Sequence, residues 1–314
     1  MTTNHQEERP MRMAFVTAIV ALIAFNAQAQ NLFVADWYAG NIYEFTPGGV
    51  RSTFATGVPD VVGVAFDSTG NLYATAGGTS GVVYKYAPNG VRSTFATGLD
   101  YPRGLAFDSA GNLFVGDNSG NIYKFTPDGV RSTFANVITP YALAFNSAGN
   151  LLVTDYNGYK IWQITPSGAL SAFFDTGART PGGLAIDSAG NAFVGTFEGS
   201  SFTSIVEIRP DGTNTTFAFG MHYPDGLAFN GSGYLFEADY GTGSINEFTP
   251  TGVQSTFASG LQDPIGLAFQ PIPEPPALAL AGLGAAALAI SRRRRWLPRQ
   301  QSESQFCGCL DELF

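Results

Sequence analysis

One phrase recurs along this chain at nearly fixed intervals, and it dictates what the chain can fold into. GVAFDSTGNLYATA at 63–76 returns as GLAFDSAGNLFVGD at 104–117 and ALAFNSAGNLLVTD at 142–155. It returns again as GLAIDSAGNAFVGT at 183–196 and GLAFNGSGYLFEAD at 226–239. Equivalent positions lie 38 to 43 residues apart. A second phrase follows each copy, as in NIYKFTPDGVRSTFA at 121–135, and its turn is written TPGG, APNG, TPDG, TPSG, RPDG or TPTG. A unit repeated at this period cannot bury its apolar face alone, so the copies must stack or close on one another.

Each copy reads as four short strands. GLAF is the first, and D-S-A-G-N is a tight turn whose Gly and Asn supply positive φ. NLFVAD is the second strand, IYKFTP the third, and VRSTFA the fourth after a Pro-Asp-Gly turn. Four antiparallel strands per 40 residues or so, repeated, is the pattern of a β-propeller blade. The chain from Asn31 begins with a second strand, NLFVAD, and the last repeat stops at a first strand, GLAF at 266–269. That terminal strand can complete the N-terminal three. The expectation is an all-β, six-bladed propeller of 24 strands over residues 30–271, closed by strands from both ends; an open solenoid would leave the split unit unexplained. Composition agrees: 38 Gly, 13% aromatic and only 13% charged residues suit pleated strands and turns rather than helices.

The repeat resembles the NHL type, whose units run P-x-G-L-A-x-D-x-x-G-N-L-Y-V-A-D. Proline precedes the first strand at Pro102, Pro140, Pro181, Pro224 and Pro264. The wider relatives are the gluconolactonase-like six-bladed propellers. That resemblance implies a fold and leaves function to the site.

Residues 30–271 carry 19 Asp or Glu against 9 Lys or Arg. Such a field repels phosphate backbones, so no nucleic acid partner is expected. The only cysteines are Cys307 and Cys309, which leaves the repeats without disulfide or thiolate chemistry. The repeats hold one histidine, His222, and no G-x-S-x-G, H-E-x-x-H, Cys-x-x-Cys or phosphate-cradling loop.

The D-S-A-G-N and T-P-D-G turns share one face and hardly vary, which marks them as fold chemistry. Loops after the second and fourth strands share the other face and differ among copies, so a specific site is expected there. The loops after the second strands supply Asp36, Trp37, Tyr38, Asp117, Asn118, Asp155, Tyr156, Phe197, Glu198, Asp239 and Tyr240. The loops after the fourth strands add Asp60, Tyr101, Arg103, Tyr141, Arg179, His222, Tyr223, Asp225 and Asp263. Aromatic plates beside carboxylates suit a sugar ring, which stacks on one face and donates through its hydroxyls. The Asp that ends the second strand recurs at 36, 117, 155 and 239, and a repeated Asp also serves to bond the N–H groups of its own turn. The preferred expectation is non-catalytic recognition of an extracellular glycan or surface protein, with no cofactor. The alternative is a metal-dependent lactonase-type hydrolase. Resemblance to the gluconolactonase-like propellers implies a divalent cation, such as calcium, in the channel, here with Asp117, Asp155 and Asp239 as candidate ligands beside Asn118. The Glu that this family places in a first strand has no counterpart in any GLAF strand, and those strands are expected to offer only apolar side chains to the channel.

The two ends differ from the repeats. Arg12, the apolar AFVTAIVALIAF and then NAQAQ form a signal peptide over 1–29, with Ala27 and Ala29 at the −3 and −1 positions of the cleavage site. The polar opening MTTNHQEERP is unusual for such a signal, and a start at Met11 or Met13 is the alternative expectation. At 272–295, Pro273-Glu274-Pro275, the apolar run 277–290 and the cluster Arg292, Arg293, Arg294, Arg295 resemble a PEP-CTERM sorting signal. The resemblance implies export across the inner membrane of a Gram-negative bacterium, transient membrane association through a short transmembrane segment at 277–290, and removal of the signal by an exosortase-type protease. The destination would be the cell surface or an exopolysaccharide matrix. Residues 296–314 run on past the basic cluster, a departure from such signals, and are expected to be a disordered tail.

Overall fold

A computed structural model describes residues 30–78, 81–198 and 203–272. It contains 24 strands, β1–β24 in chain order, in six antiparallel sheets of four. Blade 1 combines β1 (Leu32–Asp36), β2 (Asn41–Phe45) and β3 (Arg51–Thr56) with the final strand β24 (Pro264–Phe269). Blades 2 to 6 follow as β4–β7, β8–β11, β12–β15, β16–β19 and β20–β23. The inner strands β24, β4 (Val61–Phe66), β8 (Leu105–Phe107), β12 (Pro140–Phe145), β16 (Thr180–Ile186) and β20 (Pro224–Phe229) each neighbour the next, and β24 returns to β4. The result is a closed six-bladed propeller. Closure runs in register from Leu32↔Phe269 to Ala35↔Gly266, and Gln270 N donates to Asn31 O at 2.9 Å.

The repeat explains its own stacking. In five of the six blades the aromatic residue of the second strand packs edge-on against the Phe that ends the first strand of the next blade. Phe33–Phe66, Tyr73–Phe107, Phe114–Phe145, Phe193–Phe229 and Phe236–Phe269 have centroids 4.9–5.0 Å apart. Such a pair adds about 0.5–1.5 kcal/mol beyond its buried area. The remaining seam uses Leu152 and Ile186. The Gly of G-L-A brings inner strands into backbone contact: a Cβ on Gly226 would lie 1.9 Å from Ile265 O, and one on Gly63 2.3 Å from Arg103 O. Asp67, Asp108, Asn146, Asp187 and Asn230 each accept N–H groups two and four residues on, which holds the first turn of blades 2 to 6.

One expectation is corrected. No helix among the described residues is long and apolar enough to cross a membrane. Fourteen residues at 277–290 would also reach only about 21 Å as a helix, short of a hydrocarbon core of roughly 30 Å. The transmembrane reading of that run is therefore withdrawn. The run, the signal-peptide residues Ala27 and Ala29, the sorting-signal residues Pro273, Glu274, Pro275 and Arg292–Arg295, and the tail lie outside the described residues.

Candidate functional site

Most first strands begin with Pro-x-Gly or a close variant, and the strand register slips there. In blade 6, Pro224 pairs Asp239 and Gly226 pairs Ala238, so Asp225 is the extra residue of a β-bulge. Similar slips occur in blades 1, 2, 4 and 5. A bulge re-aims a side chain. The x position is Val62, Arg103, Tyr141, Gly182, Asp225 and Ile265 around the ring. A cavity of about 130 Å³ runs between the inner strands, lined by Tyr141 and Asp225 among apolar residues such as Leu143, Leu184 and Ile265. The first strands therefore do offer polar groups to the channel, contrary to the apolar lining expected from GLAF alone.

Three of these residues meet although they come from three blades. Tyr141 Oη donates to Asp225 Oδ1 at 3.0 Å, and the Arg103 guanidinium stacks over the Tyr141 ring at 5.1 Å. Arg103 Nε is buried and has no hydrogen-bond partner among the described residues. Burial in the channel wall raises the Asp225 carboxyl to about 6; the Tyr141 hydrogen bond and the Arg103 charge oppose the rise and the charge on Asp239 adds to it. Burial and then the Asp225 charge push the Tyr141 phenol well above its ordinary value, so Tyr141 stays a donor.

Aromatic rings extend this cluster along blades 4 to 6. Successive centroids lie 5.2 Å apart for Tyr141–Tyr156, 5.7 Å for Tyr156–Phe197, 5.4 Å for Phe197–Tyr223 and 6.3 Å for Tyr223–Tyr240. Tyr223 and Tyr101 each precede a proline and hold φ of +70° and +43°. A bulky residue at positive φ is strained, and a following proline favours extended backbone instead. Strain of this kind persists where surrounding structure enforces it, often at a site.

The repeated aspartates do different work. Asp36, Asp117, Asp155 and Asp239 are at most 2% exposed. Asp155 accepts from Ile138 N, Thr139 N, Gly158 N and Trp162 Nε1 at 2.8–3.2 Å. Asp36 takes Gln262 N, Asp263 N and Ala39 N, and Asp239 takes His222 N and Thr242 N. Asp117 takes Asn121 N at 3.1 Å and Asp100 N at 3.4 Å. Each carboxylate ties the loop before one first strand, or the turn after the second, to its own blade. As a cation cradle the set does not fit: these oxygens face N–H donors, and among the described residues no three His, Cys, Asp or Glu side chains are grouped to hold a metal ion. Trp37, Tyr38, Asn118, Glu198 and His222 sit exposed on the same face, and Tyr156, Tyr223 and Tyr240 are half-buried in the aromatic arc.

Two further residues belong to this region and stand out only on aligning the copies. Glu237 in β21 (Leu235–Asp239) faces Asn246 in β22 (Ser244–Phe248) as a direct cross-strand pair. The matching pairs are Val34–Tyr43, Ala74–Tyr84, Val115–Tyr123, Val153–Trp162 and Val194–Val206. Only blade 6 buries a polar pair there.

Comparison with known proteins adds two facts. Residues 271–295 match the PEP-CTERM protein-sorting motif. In solved structures the fold is similar to a streptogramin B lyase, with a TM-score of 0.61, 18% identity, and 76% of this chain covering 84% of that one. It is also similar to a catalytically inactive histidine-to-alanine variant of virginiamycin B lyase from Staphylococcus aureus with quinupristin, at TM-score 0.59 and 16% identity, covering 78% and 93%. A gluconolactonase from Xanthomonas campestris gives TM-score 0.56 and 18% identity over 66% and 78%. No curated protein matches the sequence. At these identities the likeness is one of fold. The chain is a six-bladed propeller carrying a C-terminal PEP-CTERM motif.

Proposed function

We propose that the channel mouth is the active site of an exported propeller enzyme that opens a small ring-shaped ester, with Asp225 as general base. The observation that carries this reading is the convergence of Arg103, Tyr141 and Asp225 from three blades at equivalent repeat positions, with Tyr141 and Asp225 lining the channel cavity. A base near pKa 6 is mostly ionised at neutral pH yet still accepts a proton, which is where general-base efficiency is greatest. The substrate ring would rest on the arc beginning at Tyr141 and Tyr156, its carbonyl oxygen toward the Arg103 guanidinium. Asp225 takes one proton from a water as its oxygen bonds to the carbonyl carbon. The ring C–O bond breaks, and that proton passes to the departing alkoxide. One water is consumed and nothing is oxidised or reduced. Arg103 offsets the negative charge that develops on the carbonyl oxygen. The lactonase and lyases among the similar folds support an enzymatic reading over simple binding. Export from a Gram-negative cell and processing by an exosortase-type protease belong to the same proposal, supported by the sorting motif; the NHL type of the repeat belongs to it as well, supported by the Pro-x-Gly-Leu-Ala phrase alone.

Recognition of a glycan or surface protein without turnover is the second reading, favoured by the exposed Tyr38 on the same face. Proton release from a panel of lactones, followed at constant pH, tests both. Turnover that falls about a hundredfold or more in Asp225→Asn supports the enzyme. Lactone binding seen by tryptophan fluorescence with no turnover moves the reading to recognition. Equal rates in the wild type and the Asn variant remove Asp225 from it.

A further inference from the structure

Blade 6 breaks the repeat at a buried position, and the break lies beside the channel mouth. Glu237 is 0% exposed and Asn246 is 4% exposed. Asn246 Nδ2 donates to Glu237 Oε2 at 2.8 Å, while Oε1 is buried with no partner among the described residues. An ionised carboxylate so enclosed would be costly, and neutralisation is the usual relief. Burial raises this carboxyl well above its ordinary range; Asn246 offsets part of the rise, and the charges of Asp239 and Asp225 add to it. Because Oε2 accepts from Asn246, the proton belongs on Oε1. Held neutral, Glu237 presents an enclosed O–H donor.

Where that donor can go follows from the strands. Leu235 packs with Phe193 and Ile205 of blade 5, and Glu237, two residues on, shares its face. Asp225 borders the same seam, since a Cβ on Gly182 of blade 5 would lie 3.4 Å from Asp225 Oδ1. Glu237 pairs Leu227 across the ladder, and Asp225 lies two residues before Leu227, at the bulge. Blade 5 meets this seam through Gly182, Gly183 and Gly195, and the missing side chains let the Pro224–Asp225 backbone approach closely. The Asp225 charge reaches Glu237 and adds to the rise of its carboxyl. Both oxygens of Asp239 already take N–H groups, from His222 and Thr242. Asp225 uses Oδ1 for Tyr141, and Oδ2 has no partner in the described hydrogen bonds.

We propose that Glu237 and Asp225 form a carboxyl pair holding one proton between them, directly or through one water, with Asn246 fixing Glu237 as the rear donor. The proposal rests on the channel-mouth reading and deepens it. Asp225 faces the substrate, and Glu237 is a positioning residue that orients it. When Asp225 takes a proton from water, it ceases to be the acceptor for Glu237, so the pair must rearrange with each turnover. The charged and titratable groups around the pair are Arg103, Tyr141, Tyr156, Tyr223 and Asp239. None except Arg103 is cationic at neutral pH, and its Coulomb effect is exerted on Asp225.

The test needs no substrate. Carboxyl ¹³C NMR titration of the purified protein should show Asp225 and Glu237 moving together in two macroscopic steps, as interacting sites do. Glu237→Gln keeps the shape and can still accept from Asn246, and it should reduce Asp225 to a single, displaced step. The double variant Glu237→Val with Asn246→Tyr restores the pair found at Val34–Tyr43 and guards against a failure to fold; it should do the same. Where a lactone is turned over, Glu237→Gln should lower kcat about tenfold or more with KM little changed. Independent single steps in the wild type, or an Asp225 curve that neither variant moves, overturn the pair. A coupled titration without any lactone turnover keeps the pair and removes the proposed reaction.

Discussion

Asp225 is a carboxylate that the fold holds at some cost. Its proton affinity is raised in the folded protein, so the folded state binds that proton more tightly than the unfolded chain does. Its contribution is therefore most favourable below its ordinary value of 3.8 and is lost as pH rises through about 6. Wild type should lose up to about 3 kcal/mol relative to Asp225→Asn between pH 4 and 7, an upper limit because the channel admits water. Urea melts of both proteins across that range check it. Asp155 predicts the opposite kind of loss. Asp155→Ala strands three backbone N–H groups and the Trp162 indole, and should cost on the order of 3 kcal/mol by the same melts. If such carboxylates are committed to N–H donors, calcium followed by chelator should leave the melting temperature unchanged. A cation at a hundred times its Kd would add about 2.7 kcal/mol. At this scale the sequence was half legible. A recurring Asp announces a turn bond, but which loop residues converge depends on distances across the ring. Tyr141 and Asp225 are 84 positions apart, and no local pattern relates them.

Elements explain both how clearly the blades read and where the reading failed. Each strand repeats the same alternation, so register, turn and seam are written six times over. The first-strand bulge is the exception: G-L-A reads as an apolar strand, while the residue before its Gly is turned into the channel. A pattern of period 2 does not register one extra residue. Glu237 and Asn246 were legible in another way, as departures from five copies that agree on an apolar residue at the Glu237 position. Such departures mark places where stability has yielded to something else. Restoring Val and Tyr at 237 and 246 should therefore stabilise the protein by about 1–3 kcal/mol, read as a rise in melting temperature. A fall would mean that blade 6 is packed for its polar pair. The Gly of the same strand allows no such freedom. Gly226→Ala places a methyl 1.9 Å from Ile265 O, and inner strands cannot separate without opening the ring. That variant should cost more than about 3 kcal/mol or be recovered only as aggregate, which soluble yield and size-exclusion elution will distinguish from a tolerated change.

At the scale of the whole molecule, function depends on closure. The mouth residues come from blades 3, 4 and 6, whose order around the channel is fixed only when β24 joins β1. Without that strand β1 would present an unpaired edge, and the seam between Phe236 and Phe269 would lose one ring. Deleting residues 264–314 should therefore abolish the single cooperative melt and the Asp225 titration together, although every residue of the Arg103–Tyr141–Asp225 cluster remains in the chain. Deleting only 273–314 removes no described strand and should leave both intact. A circular permutant that carries 264–271 ahead of Asn31 supplies the strand from the other end and should restore the melt and the titration. If the permutant melts cooperatively but Asp225 then titrates near its ordinary value, closure maintains the fold while the position of the site depends on the native connection. If the 264–314 deletion still melts as one unit with Asp225 near 6, five complete blades and a three-stranded sixth suffice, and the terminal strand does not organise the mouth.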